Sequence, residues 1–129
     1  MIVLDTHVLL WFLLDSPNLP AAFRDQLDRH PENVLVPSIC TWEALLLAEN
    51  GRIYFGGGGA QQILKASLEL AGFKEAPLTA EIAALSRTLV FQHADPADRF
   101  IAATAKAMNA ELATSDRRLR ALPWVRLAY

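Results

Sequence analysis

Cysteine is almost absent from this 129-residue chain, where Cys40 stands alone. One thiol excludes an internal disulfide and fits a reducing cytoplasm, the expected location. Cys40 has no His–Cys arrangement around it and reads as a small buried residue. The three histidines, His7, His30 and His93, show no ligand spacing, so a zinc site built on Cys or His is not expected. A basic excess is also missing: 12 Lys+Arg stand against 14 Asp+Glu, for a formal net charge of −2. That excludes a protein gripping nucleic acid over a wide surface, but not a nuclease, because a metal ion inverts the potential of an acidic site. The early apolar run Val8 to Leu14 is too short to cross a bilayer. No basic segment precedes an apolar one at the amino terminus, so no signal peptide is expected. The protein is expected to be soluble, with no membrane contact. Gly56 to Gly59 form a flexible loop, with no phosphate-cradling pattern attached.

What is present is a composition that is 53% hydrophobic, enough to bury a core, in a length expected for one domain, 1–129. Ile2 to Leu4 reads as a buried parallel strand, Val8 to Leu14 as a largely buried helix, and Ala21 to His30 as a helix with Phe23 and Leu27 inward. Pro20 suits the first turn of that helix, and Pro31 stops it. Val34 to Val36 reads as the second strand. Ser38 suits the N-cap of a helix to about Glu49, with Gly51 as its stop. Ala60 to Ala71 and Ala80 to about Leu89 read as helices, the second capped by Thr79. Asp95-Pro96-Ala97-Asp98 is the strongest local signal: a capping residue, a proline in the first helical position and an acid in the third, opening a helix to about Met108. Leu112 to Thr114 and Val125 to Leu127 read as strands, with a short helical turn from Arg117 to Ala121. Alternating strands and helices predict a three-layer α/β/α sandwich on a mainly parallel sheet of four to five strands.

Four acids sit where acids are uncommon. Asp5 and Asp116 each follow an apolar run, Glu43 lies among Ile39, Trp42, Leu46 and Leu47, and Asp98 opens a helix. In open α/β sheets, sites form beyond the carboxyl ends of the strands, so neighbouring strands would turn Asp5 and Asp116 into one crevice. A set of oxygen ligands points to Mg²⁺ or Mn²⁺ and to chemistry on phosphates. Each acid also has a plainer reading: Asp5 and Asp116 as turn formers, Asp98 as a cap, Glu43 in a salt bridge. For Asp95, capping outweighs metal binding. Thr6, Thr114 and Ser115 carry hydroxyls that suit a water or phosphate and equally suit backbone hydrogen bonds. His7 lies near the crevice, where packing or capping competes with substrate contact. Arg117, within the basic run Arg117, Arg118 and Arg120, suits either phosphate contact or a solvated turn. Trp11, Trp42 and Trp124 are assigned to core or interface.

These motifs resemble those of the PIN-domain ribonucleases, specifically VapC-type toxins of toxin–antitoxin pairs. Leu4-Asp5-Thr6-His7-Val8-Leu9-Leu10-Trp11 resembles the opening strand and helix. Ser38 to Glu43 resembles the second acidic motif, and Gly51-Arg52-Ile53 has a counterpart after it. His93-Ala94-Asp95-Pro96-Ala97-Asp98-Arg99 resembles the third, and Thr114-Ser115-Asp116 with Arg117-Arg118-Leu119 the fourth. The resemblance covers essentially the whole chain. It implies Asp5, Glu43, Asp98 and Asp116 as the catalytic acids, with Asp5, Asp98 and Asp116 around the principal Mg²⁺ or Mn²⁺ and Glu43 at the attacking water or a second ion. It also implies cleavage of single-stranded or loop RNA, transfer RNA included, a homodimer, and inhibition by a small antitoxin. His7, where many relatives carry Asn or Ser, and the four-glycine loop depart from the pattern, but no acid is lost.

Three other functions stay open at this point: a receiver-like signalling domain, a catalytically silent interaction module, and a housekeeping RNA-processing nuclease of the same fold. The receiver lacks support because Leu4-Asp5-Thr6 has a single acid and no lysine follows Asp116.

Overall fold

A computed structural model describes residues 1–91 and 95–129. His93 and Ala94, at the head of the third acidic motif, lie outside the described residues. The chain runs β1 (Ile2–Leu4), α1 (Thr6–Leu13), α2 (Ala21–Arg29), a 3-10 turn (Pro31–Asn33), β2 (Val34–Pro37) and α3 (Ser38–Glu49). It continues through α4 (Ala60–Ala71), β3 (Lys74–Ala76), α5 (Ala80–Thr88), α6 (Pro96–Ala107), β4 (Glu111–Ala113) and α7 (Arg117–Arg120).

The four strands form one parallel sheet in the order β3-β2-β1-β4, flanked by helices as an α/β/α sandwich. Every residue of β1 and β2 is buried, the uninterrupted pattern of parallel strands covered on both faces. Phe23 and Leu27 of α2, Ile101, Ala102 and Ala105 of α6, and Leu119 of α7 join them in the main core. A smaller cluster, Leu10, Ala44 and Leu64, ties α1, α3 and α4 together. Among the described residues no helix is long and apolar enough to cross a membrane.

Several local expectations shift. β3 was not anticipated: Lys74 and Glu75 are exposed and only Ala76 is buried, so this edge strand carries no apolar pattern. Val125 to Leu127 does not form a strand. It contributes one parallel bridge, Leu127 to Leu112, reached directly from the turn containing Pro123. Ser38 is the first residue of α3 rather than its cap; extended Pro37 holds the cap position, and the Ser38 hydroxyl donates to Glu75 Oε1 at 2.8 Å. Pro20 likewise precedes α2 at its cap position. Thr79 does cap α5, its hydroxyl accepting from the Ile82 amide at 3.2 Å. Asp95 caps α6, with Pro96 first in the helix as the motif predicts.

Candidate active site

The strand order sets the site. From β1 the chain moves to β2 and β3 on one side, and β4 adds on the other. The reversal lies between β1 and β4, the position at which open α/β sheets form their crevices. The two strands pair from Ile2 with Glu111 to Leu4 with Ala113, and the Asp5 amide extends the ladder by donating to the Ala113 carbonyl at 2.9 Å. Asp5 and the Thr114-Ser115-Asp116 segment therefore emerge side by side.

A cleft of about 380 Å³ opens there. Five carboxylates line it: Asp5, Glu43, Asp95, Asp98 and Asp116. Among the described residues, His7, Trp11, Ser115 and Arg118 also line it. The four acids singled out in the sequence thus share one cleft, and Asp95 joins them while also capping α6.

Asp5 is only 4% exposed, and its side chain does not cap the helix behind it. Oδ2 accepts instead from the Thr114 hydroxyl at 2.5 Å. Burial pushes the Asp5 carboxyl above its usual range, the Thr114 hydrogen bond opposes this, and the charge of Asp116 adds to the rise. Glu43, half-buried in the second turn of α3, accepts from the Thr6 hydroxyl at 2.5 Å. It too is raised, by burial first and then by the charges of Asp5 and Asp95, with the Thr6 hydrogen bond acting against them. Neither acid is held in the salt bridge or turn that the plainer readings required.

Asp116 does cap: Oδ1 accepts from the Arg118 and Leu119 amides at 2.8 and 3.2 Å. Asp98 is half-buried in the first turn of α6. Thr6 and Thr114, whose hydroxyls suited a water or phosphate and equally backbone hydrogen bonds, are buried, and those hydroxyls are directed instead to the Glu43 and Asp5 carboxylates. His7 is exposed and meets the Trp11 ring edge-on, with centroids 6.5 Å apart. Cys40 is fully buried behind the site, its thiol donating weakly to the Leu4 carbonyl, and burial raises its pKa.

Besides Asp95, read from the sequence as a cap, two lining residues were not singled out as site residues. Trp11 was assigned to core or interface, although its position four residues after His7 puts both on one helix face. Arg118 lines the cleft where Arg117 was expected; α7 starts at Arg117, and the turn of the helix decides which arginine faces inward.

Among the described residues, no three His, Cys, Asp or Glu side chains lie close enough to form a ready-made ligand cluster. The donor chemistry nonetheless fits a hard divalent cation. The acids offer only oxygen, and they raise one another's proton affinity in a way that a bound cation would relieve.

A family model for the PIN domain matches residues 2–125. Over 121 residues the chain is 33% identical to Ribonuclease VapC22 of Mycobacterium tuberculosis, covering 92% of this chain and 89% of that protein. Its fold is similar to that of FitAcB from Neisseria gonorrhoeae, with a TM-score of 0.68 and 26% identity over 98% of this chain and 96% of that one. It is also similar in fold to VapBC2 from Rickettsia felis bound to a DNA fragment from their promoter, with a TM-score of 0.66 and 18% identity over 98% and 97% of the two chains.

Proposed function

Because this chain belongs to the PIN-domain family and is homologous to VapC-type toxin–antitoxin proteins, we propose that it is a Mg²⁺- or Mn²⁺-dependent endoribonuclease, the toxin of such a pair. The observation that carries the reading is the convergence of Asp5, Glu43, Asp98 and Asp116 on one cleft at the reversal point of the sheet.

Asp5, Asp98 and Asp116 are the residues that would hold the ion, with Glu43 beside them. When bound, the ion supplies positive charge that polarises a phosphodiester and eases deprotonation of water. The protein's own part is placement and proton transfer. Thr114 keeps the Asp5 carboxylate turned to the cleft, and Thr6 does the same for Glu43. The raised proton affinity of Glu43 suits it to take the proton of the attacking water. Arg118 supplies a cation to the RNA backbone, and His7 and Ser115 form the wall against which the substrate lies. Residues 1–129 act as one nuclease domain in the cytoplasm. A small antitoxin is the inhibitory partner, and a second copy of the chain completes a homodimer.

The test is cleavage of a structured RNA pool, transfer RNA included, by purified protein. Activity should require Mg²⁺ or Mn²⁺ and disappear with chelator. Asp5→Ala and Glu43→Ala should each abolish most of it, and full activity in either would reject the assigned site. A pull-down from the native host should bring down a small partner.

A further inference from the structure

The cleft sets a recognition problem for its proposed substrate. Five carboxylates line it, and RNA brings more negative charge. Among the described lining residues only Arg118 is a Lys or Arg. A bound divalent cation would offset part of this charge, and contacts that do not depend on charge would add affinity beside it. Among the described lining residues the largest flat surface is the indole of Trp11.

Trp11 is held firmly. It packs on the main core while remaining half-exposed at the cleft. Its carbonyl accepts from Arg24 Nη2 at 2.8 Å and from the Ser16 amide at 2.9 Å, so the end of α1 is tied down. The His7 ring meets it edge-on at 61°. Trp11 lies six residues after Asp5, roughly 9 Å along the helix axis at about 1.5 Å per residue.

We propose that Trp11 is the stacking surface for an unpaired nucleobase beside the scissile phosphate, with His7 orienting the indole. The inference rests on the ribonuclease reading and deepens it, because it names the residue that would hold an unpaired base. Bases within a duplex are already covered on both faces, so only an unpaired base can lie on the indole. Stacking reads no hydrogen-bonding edge, so Trp11 selects strandedness rather than sequence.

The test pairs Trp11→Ala and Trp11→Phe with a short single-stranded RNA carrying an abasic position next to the cut. Trp11→Ala should raise KM about tenfold or more while kcat changes by less than about threefold, and Trp11→Phe should recover most of the loss. The abasic RNA should show a similar rise with wild type and little further rise with Trp11→Ala, since both changes remove the same contact. Fully additive losses, or wild-type KM for the abasic RNA at every flanking position, would overturn the proposal. If Trp11→Ala does not fold, the abasic scan on wild type and the Trp11→Phe variant decide it alone. A wild-type protein that cleaves no RNA with any divalent ion defeats the ribonuclease reading itself; cleavage that is indifferent to removal of the flanking base defeats only the role of Trp11.

Discussion

The Thr114 hydroxyl donates to Asp5 Oδ2 at 2.5 Å across 109 positions of sequence, and the Thr114 hydroxyl oxygen itself accepts from the Asp116 amide at 3.0 Å. One buried hydroxyl thus links two acids of the cleft. It has this geometry because β4 pairs directly with β1, so the chain leaving each strand passes the other.

Thr114→Val keeps the shape and removes the donor. The buried Asp5 carboxyl then loses its hydrogen bond, a change costing about 1–3 kcal/mol. The melting temperature should fall by several degrees and RNA cleavage should drop sharply, while Thr114→Ser should restore most of both. Thermal melts beside cleavage rates check this. Unchanged melting and activity in Thr114→Val would remove the hydroxyl from the site.

The raised proton affinities of Asp5 and Glu43 predict a pH dependence with a definite sign. Between the unfolded value, near about 4, and the raised folded value, the native state keeps a proton that the unfolded state has released. Stability from these groups therefore falls as pH rises through that window. Asp5→Asn should lose activity with Mn²⁺ present; in chelator it should melt no lower than wild type at neutral pH, and its melting temperature should decline less steeply with rising pH. Exposed Glu32, which is lowered and acts in the opposite sense, is common to both proteins and cancels in the comparison. Mn²⁺ should raise wild-type melting by binding the native state, and raise the variant less. A variant several degrees less stable in chelator, with no Mn²⁺ effect on wild type, would make Asp5 a purely structural residue.

Arg120 fastens the loop that carries Thr114. Its Nη1 donates to the Thr114 carbonyl at 2.9 Å and its Nη2 to the Tyr129 carbonyl at 3.0 Å, while the guanidinium lies over the Tyr129 ring. Only a planar fork reaches both carbonyls and stacks at once. Arg120→Lys should therefore lose about 1–3 kcal/mol of stability, nearly as much as Arg120→Ala. Denaturant unfolding of the two variants checks this, and a lysine variant equal to wild type would contradict it.

Trp42 and Leu46 lie one turn apart on α3 and are 58% and 38% exposed. Apolar side chains this open on a helix that also carries Glu43 suit the expected homodimer contact. Trp42→Arg should shift the protein toward monomer in light scattering and leave the melting temperature of the monomer nearly unchanged. A wild-type monomer at all concentrations would defeat the dimer.

Much was legible wherever the signal is local. The Asp95-Pro96-Ala97-Asp98 start of α6 and the Thr79 cap of α5 follow from the conformational preferences of a few adjacent residues. The apolar runs Ile2 to Leu4 and Val34 to Val36 identified buried parallel strands because burial on both faces leaves no polar alternation. β3 was missed because an edge strand bearing Lys74 and Glu75 draws its stability from pairing with β2, not from its own pattern. For the same reason Val125 to Leu127, apolar and β-branched in part, reads as a strand and yet contributes only one bridge.

The sequence by itself determined most of the alternation of elements, the Thr79 and Asp95 caps, and which acids were out of place. Only the tertiary structure decided that β1 and β4 are neighbours, that Thr6 and Thr114 turn inward to Glu43 and Asp5, and that Trp11 and Arg118 face the cleft. Those outcomes depend on contacts between residues far apart in the chain, and the direction of a side chain is settled by packing that no local preference encodes.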